Sequence, residues 1–183
     1  MTHNCIGLLE MMSVAAGIEV CDAMVKTAPI ELLDAKPVCP GKYLVMVAGS
    51  VASVESAMAV GRETAAETFV DELFLPKVHE QVIPAILRTN QVSSLNALGI
   101  IETFSVAAGL WAADAAAKAA NVTLVEARLA GGLAGKAFVT MVGEVADVEA
   151  GVAAGASDAA ARGMLVRKTV IPNPDEALSE FIL

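Results

Sequence analysis

Aromatic side chains are scarce: five Phe, one Tyr and one Trp make up 4% of 183 residues. Histidine occurs twice, as His3 and His79, and cysteine three times, as Cys5, Cys21 and Cys39. Basic residues number 12 against 21 acidic ones, for a net charge of −9. Each shortage closes off a class of function. Without a basic cluster to neutralise phosphates, nucleic acid is excluded as an expected partner. A membrane-spanning helix needs about 20 mostly apolar residues. The best uncharged apolar runs, Tyr43–Val54 and Thr103–Ala113, fall well short, so no membrane association is expected. An odd number of cysteines, with no basic-then-apolar segment ahead of them, argues against a disulfide framework and for a reducing cytosol.

Catalytic raw material is equally thin. No Ser–His–Asp set and no H-x-x-x-H spacing occurs. Gly131–Lys136 reads G-G-L-A-G-K, yet it lacks the spacing of a phosphate loop, and Ala137 follows the lysine. The acidic pairs Asp71-Glu72 and Asp147/Glu149 read as solvated faces. With no nucleophile or base pair, the chain is not expected to be an enzyme.

What is present is apolar: 56% of the residues, 35 of them alanine. With few aromatics, that much apolar surface is expected to be buried in part between subunits. The chain is also written twice. Gly7–Gly17 reads G-L-L-E-M-M-S-V-A-A-G, and Gly99–Gly109 reads G-I-I-E-T-F-S-V-A-A-G. An offset of 92 holds from Gly7 to Pro40 and pairs Asp22 with Asp114, Lys26 with Lys118 and Leu32 with Leu124. Leu133 and Ala134 are then inserted, and an offset of 94 pairs Gly41-Lys42 with Gly135-Lys136 and Gly49 with Gly143. The expected domains are 1–90 and 91–183, joined in the polar stretch Arg88–Asn96.

Each copy reads βαββαβ. Ile6–Met11 and Leu98–Thr103 have strand length. Ser13 and Ser105 are N-caps for the helices that follow, and Ser50 caps a second helix to about Thr68. In the first helix Val14, Ile18, Cys21 and Val25 form an apolar face opposite Glu19, Asp22 and Lys26. Strands are expected at Ile30–Ala35, Lys42–Ala48 and Phe69–Leu75, with a Pro37–Gly41 loop and a short helix near His79–Leu87. The fold class is α+β, an α/β sandwich of two tandem ferredoxin-like domains, each an antiparallel sheet with helices on one face. Trp111 occupies the position of Glu19; it either packs at a contact between domains or trimers, or turns into the core.

These motifs resemble the bacterial microcompartment shell-protein (BMC) domain, over essentially the whole chain, twice. The residues that carry the resemblance are Gly7 and Glu10, Asp22-Ala23 with Lys26 and Ala28, Gly41-Lys42 and Gly49, and their copy-two partners Gly99, Glu102, Asp114-Ala115, Lys118, Ala120, Gly135-Lys136 and Gly143. The closing segments are Leu75–His79 and Ile171–Pro174. The resemblance implies a homotrimer that imitates a hexamer and tiles, with other shell proteins, a microcompartment shell in the cytoplasm. It places Lys26 and Lys118 at the shell-edge contacts. It also places Val38, Cys39, Pro40 and Gly41, with Gly131, Gly132, Leu133, Ala134 and Gly135, in the loops lining a central pore.

Cysteines are usually small buried hydrophobes, and Cys5 and Cys21 read that way; their copy-two counterparts are Ala97 and Ala113. Cys39 stands apart, in a loop between Pro37 and Pro40, ahead of Gly41. One cysteine cannot hold a cubane cluster, which takes about four thiolates. A threefold axis would present Cys39 three times. Tandem-domain members from propanediol-utilisation microcompartments carry such a C-P-G-K loop. The resemblance therefore implies one [4Fe–4S] cluster per trimer, held by three Cys39 thiolates, passing electrons across the shell to encapsulated redox enzymes. Two alternatives stand beside this: a cluster-free tile with a metabolite-conducting pore, and a trimeric ferredoxin-like signalling or metal-binding protein.

Overall fold

The computed structural model describes residues 5–92 and 95–182; Ser93 and Ser94 of the expected join, and His3, lie outside the described residues. The described residues form two compact units. Unit 1 runs to Val78 and also takes in Gly131–Gly135; unit 2 takes His79–Ala130 and continues from Lys136. Residues 79–90, which the repeat boundary groups with the first copy, thus pack in unit 2.

Unit 1 contains β1 (Cys5–Met11), α1 (Val14–Thr27), β2 (Glu31–Val38), β3 (Lys42–Gly49), α2 (Val51–Ala65) and β4 (Phe69–Pro76). Unit 2 begins with a short helix, α3 (Val82–Leu87). It then repeats the series as β5 (Ala97–Thr103), α4 (Val106–Ala119), β6 (Thr123–Leu129), β7 (Ala137–Gly143), α5 (Val145–Ala161) and β8 (Leu165–Pro172). The sheets are antiparallel, in the orders β2-β3-β1-β4 and β6-β7-β5-β8. This is the α+β, ferredoxin-like arrangement expected.

Local chemistry sets the helix starts. Ser13 Oγ accepts the Ala16 N–H at 3.3 Å, Ser105 Oγ the Ala108 N–H at 3.1 Å, and Ser50 Oγ the Ser53 N–H at 3.1 Å. Each hydroxyl satisfies one of the N–H groups that a first turn leaves without a partner. The strand registers match between copies, down to irregularities at Glu10/Met11 and Glu102/Thr103. Opposite Leu8 stands Leu73 and opposite Ile100 stands Thr169, so the final strands match at an offset of 96. The additional two residues sit in the second helix: α5 has 17 residues where α2 has 15.

The helices pack on the sheet face presented by Cys5, Leu9 and Met11, where Val20, Met24, Val54 and Met58 close the core. Burying side chains of this size contributes about 1.5–3 kcal/mol each. The buried stripe of α1 is Gly17, Val20 and Met24, which corrects the expected apolar face. Ile18 is 55% exposed, Val14 and Val25 are exposed too, and Cys21 is only half-buried. The expected stripe lies about 100° round the helix from the real one, at 100° per residue. Both stripes are apolar; the sheet takes the one containing glycine, because the ring of Tyr43 lies against the helix backbone there.

A β-carbon at Gly17 would come within 2.4 Å of Tyr43 Cβ, Cγ and Cδ1. Tyr43 is itself buried in the core and cannot withdraw without repacking it. Gly17→Ala is expected to lower unfolding free energy by about 1–3 kcal/mol, with Ala16→Gly as a helix-propensity control; urea denaturation followed by far-UV circular dichroism checks it.

Candidate functional site

The β2–β3 connection is tighter than the sequence suggested. β2 continues through Pro37, paired with Tyr43, and Val38, paired with Lys42. Only Cys39, Pro40 and Gly41 form the turn. All three are exposed, and the Cys39–Pro40 peptide is cis. Gly41 has φ +81°, a left-handed conformation that glycine adopts without penalty.

The equivalent connection in copy two is longer and more contorted. Gly132, Ala134 and Gly135 all have positive φ, at 78°, 52° and 83°. Leu133 is half-buried, while Gly131, Gly132 and Ala134 are exposed. Gly135 belongs to unit 1 together with Gly131–Ala134. A β-carbon there would lie 3.1 Å from the Cys39 carbonyl oxygen, 3.3 Å from Pro40 Cδ and 3.4 Å from Lys42 Cε. Of the sequence-predicted loop residues, Gly135 is thus brought against Cys39 and Pro40, and Gly131–Gly135 share unit 1 with Val38–Gly41.

Beneath the first turn, Lys42 Nζ donates to Glu10 Oε2 at 3.1 Å, and the two side chains are 8% and 0% exposed. Lys136 makes the equivalent pair with Glu102 in unit 2, with side chains 36% and 31% exposed. Sequence reading marked these four residues as motif positions without assigning them a job. The recurrence of G-x-x-E with G-K in both copies was the available signal.

Lys26 and Lys118 lie in the last turns of α1 and α4, where positive charge complements the helix dipole. Each pairs at 2.6 Å with the aspartate one turn earlier, Asp22 and Asp114. The Lys26 side chain is 72% exposed and that of Lys118 42%. Asp114 is buried and also accepts the His79 N–H at 2.7 Å.

The cysteines separate as their settings dictate. Cys5 is fully buried; burial, then the nearby Glu55 charge, pushes its thiol pKa up. Burial and then Asp22 push Cys21 up as well. Both are held protonated and poorly nucleophilic. Cys39 is free and exposed. Among the described residues no three His, Cys, Asp or Glu side chains gather as a metal-binding group. One chain thus offers a soft metal a single fully exposed thiol, on a stiff proline-flanked turn. That fits an iron–sulfur group only if further copies of the chain supply the other ligands. Trp111 remains over a third exposed, so it does not enter the core of unit 2.

Comparison with known proteins follows the same division. The family model for the BMC domain matches twice, at residues 5–78 and 97–174. The bacterial microcompartment shell protein PduT of Citrobacter freundii is 46% identical over 173 residues, 94% of each chain. The shell protein EutM of Salmonella typhimurium is 42% identical over 86 residues, 47% of this chain and 88% of its own. A solved microcompartments protein from Desulfitobacterium hafniense DCB superposes with a TM-score of 0.87 at 52% identity, covering 96% of this chain and 98% of that one.

Two outcomes follow. With a thiol reagent such as Ellman's, one thiol per chain is expected to react rapidly in metal-free protein, and Cys39→Ser is expected to abolish it; equal rates at Cys21 would contradict the burial argument. Lys42→Ala takes the Lys42 ammonium away from the buried Glu10 carboxylate and is expected to cost about 3–5 kcal/mol. Lys136→Ala is expected to cost under about 1 kcal/mol, because that pair is solvated. Denaturant titration of both variants checks the contrast.

Proposed function

The chain belongs to the BMC-domain family, in tandem form, and from that premise we propose that it is a structural shell protein of a cytoplasmic bacterial microcompartment, without catalytic activity. Three chains form a pseudohexameric tile, which packs against other shell proteins through edges that include Lys26 and Lys118. Cys39 from each chain meets at the threefold axis, and the three thiolates would hold one [4Fe–4S] cluster, with the fourth iron left to another ligand. When bound, such a cluster supplies one-electron transfer, here between the outside of the compartment and redox enzymes within.

The observation that carries the reading is the placement of Cys39: the exposed cysteine of three, on a three-residue turn with the copy-two loop against its carbonyl. The chain's own residues supply everything else. Pro37 and Pro40 restrict the turn, so less entropy is lost in ordering it. The buried Lys42–Glu10 pair anchors the strand behind it. Gly131 and Gly132 bring no ligating side chain, so the copy-two loops flank the thiols without competing for metal.

Iron analysis of anaerobically purified protein tests this, beside Cys39→Ser. The expected result is about 4/3 iron per chain, a broad visible absorption band, and loss of both in the variant. A colourless, iron-free trimer after anaerobic reconstitution would leave a shell tile whose pore conducts metabolites, with Cys39 a thiol on its rim.

A further inference from the structure

Gly41 and Gly135 occupy the same position of the repeat, each followed by a lysine. Their backbones agree, with φ +81° and +83°. Their surroundings do not. A β-carbon on Gly41 would meet nothing within 4 Å, whereas one on Gly135 would have the Cys39 carbonyl oxygen, Pro40 Cδ and Lys42 Cε all within 3.4 Å. A left-handed backbone is reason enough for glycine at both positions. Only Gly135 has a second reason, and that reason is contact with the thiol-bearing turn.

The loop that delivers Gly135 is held in an unfavourable shape. Among residues 130–135 only Leu133 lacks a positive φ, and two of the other five, Ala130 at 62° and Ala134 at 52°, are not glycine. A β-carbon makes that backbone region unfavourable, and such outliers persist only where the surroundings over-determine them. Some of the supports are plain. At the base of the loop the Ala130 N–H donates to the Lys136 carbonyl at 3.1 Å, and Lys136 is paired with Glu102. Leu133, one of the two inserted residues, is half-buried. Gly135 then closes on Cys39 and Pro40. Copy one makes the same connection with a three-residue turn in which Gly41 alone has positive φ.

The same point touches the layer beneath the turn. Lys42 Cε belongs to the side chain whose ammonium bonds Glu10 on β1, a central strand of its sheet. The Cys39 turn is therefore held twice. The buried Lys42–Glu10 pair fixes the strand that leaves it, and Gly135 lies against its carbonyl oxygen and its proline ring. Both contacts bear on backbone and ring. Cys39 itself stays exposed, so neither contact occupies the thiol.

We infer that Gly135 is a positioning residue for the metal site at Cys39. Because it carries no side chain, the copy-two loop can brace the Cys39–Pro40 backbone, and the brace fixes the direction in which the thiol is presented. The inference rests on the cluster reading above and gives the copy-two loop a task in it beyond leaving room. Three thiols from three chains must be aimed at one point, so a displacement of the turn is repeated at every ligand. Residues that orient ligands without touching a metal typically change its retention by about 10- to 100-fold.

Gly135→Ala puts a methyl group at the contact. Gly132→Ala is the comparator: it has the same left-handed backbone, φ +78°, but nothing within 4 Å of its β-carbon. Gly135→Asn separates the two reasons for glycine, since asparagine tolerates a left-handed backbone yet still carries a β-carbon. Each protein is reconstituted anaerobically, checked for folding by circular dichroism, and followed by its EPR spectrum and its rate of iron loss to a chelator. Gly135→Ala and Gly135→Asn are expected to lose iron at least about 10-fold faster than wild type and to shift the EPR signal. Gly132→Ala is expected to stay close to the wild-type rate and spectrum. Iron held by Gly135→Ala as firmly as by wild type, equal losses from Gly132→Ala, or rescue by Gly135→Asn would each overturn the brace and leave the cluster standing. A wild-type protein that takes up no iron would remove the cluster reading and the positioning role with it. Should Gly135→Ala fail to fold, Gly135→Asn, which avoids most of the backbone penalty, decides the matter.

Discussion

Each half of this protein depends on helices lying so close to their sheet that no β-carbon fits at the contact. A β-carbon at Gly7 on β1 would press to within 2.8 Å of Val54 and Met58 of α2, and one at Gly61 in α2 to within 2.8 Å or less of Leu9 and Met24. Gly17 fills the same role under α1. Copy two repeats the set with Gly99, Gly109 and Gly155, the last of which faces the Ala112 carbonyl of α4 at 2.6 Å from a notional β-carbon. Glycines in the interiors of these otherwise alanine-rich helices are tolerated because the dense packing they allow outweighs their cost in helix propensity.

That close layer determines where the chemistry can lie. With the helix face of each sheet sealed, the functional candidates are confined to the hairpin turns and the helix ends. The β2–β3 turn is rigid for reasons that reach into the core: Tyr43, two residues past the turn, is the ring that α1 presses against, and Lys42 between them is tied to Glu10 on the central strand. A thiol at Cys39 is therefore displayed from a short, well-anchored support rather than from a flexible loop. This arrangement suits preorganised ligation, in which little ordering is left to occur on binding.

Much of this was legible in the residues. The serine caps of α1, α2 and α4, the element order and the repeat could be read because they depend on local spacing, although the position of Ser50 is Glu144 in copy two, which makes no side-chain cap. The exposed face of α1 could not. Val14, Ile18, Cys21 and Val25 have the spacing of a core stripe, but Gly17, Val20 and Met24 supply a second stripe, and only the shape of the opposing sheet chooses between them. Hydrophobic periodicity alone does not distinguish a helix face that meets the sheet from an apolar face that stays exposed on the single chain. The partners of Glu10 and Glu102 were also hidden, since Lys42 lies 32 residues from Glu10 and Lys136 lies 34 from Glu102. The cysteine ranking was accessible from loop context alone, although Cys21 is less buried than its apolar setting implied.

The two copies differ most where they would meet an axis: a thiol on a three-residue turn in one, a glycine-rich loop with two residues inserted in the other. In a ring of identical single-domain subunits, any substitution appears at every position around the centre. Fusion of two copies removes that constraint. A change in one half then appears at alternate positions only, so three ligands and three spacers can surround a point where six identical side chains would crowd it. Duplication in this chain thus doubles the chemical alphabet available to the centre of an assembly without adding a second kind of subunit.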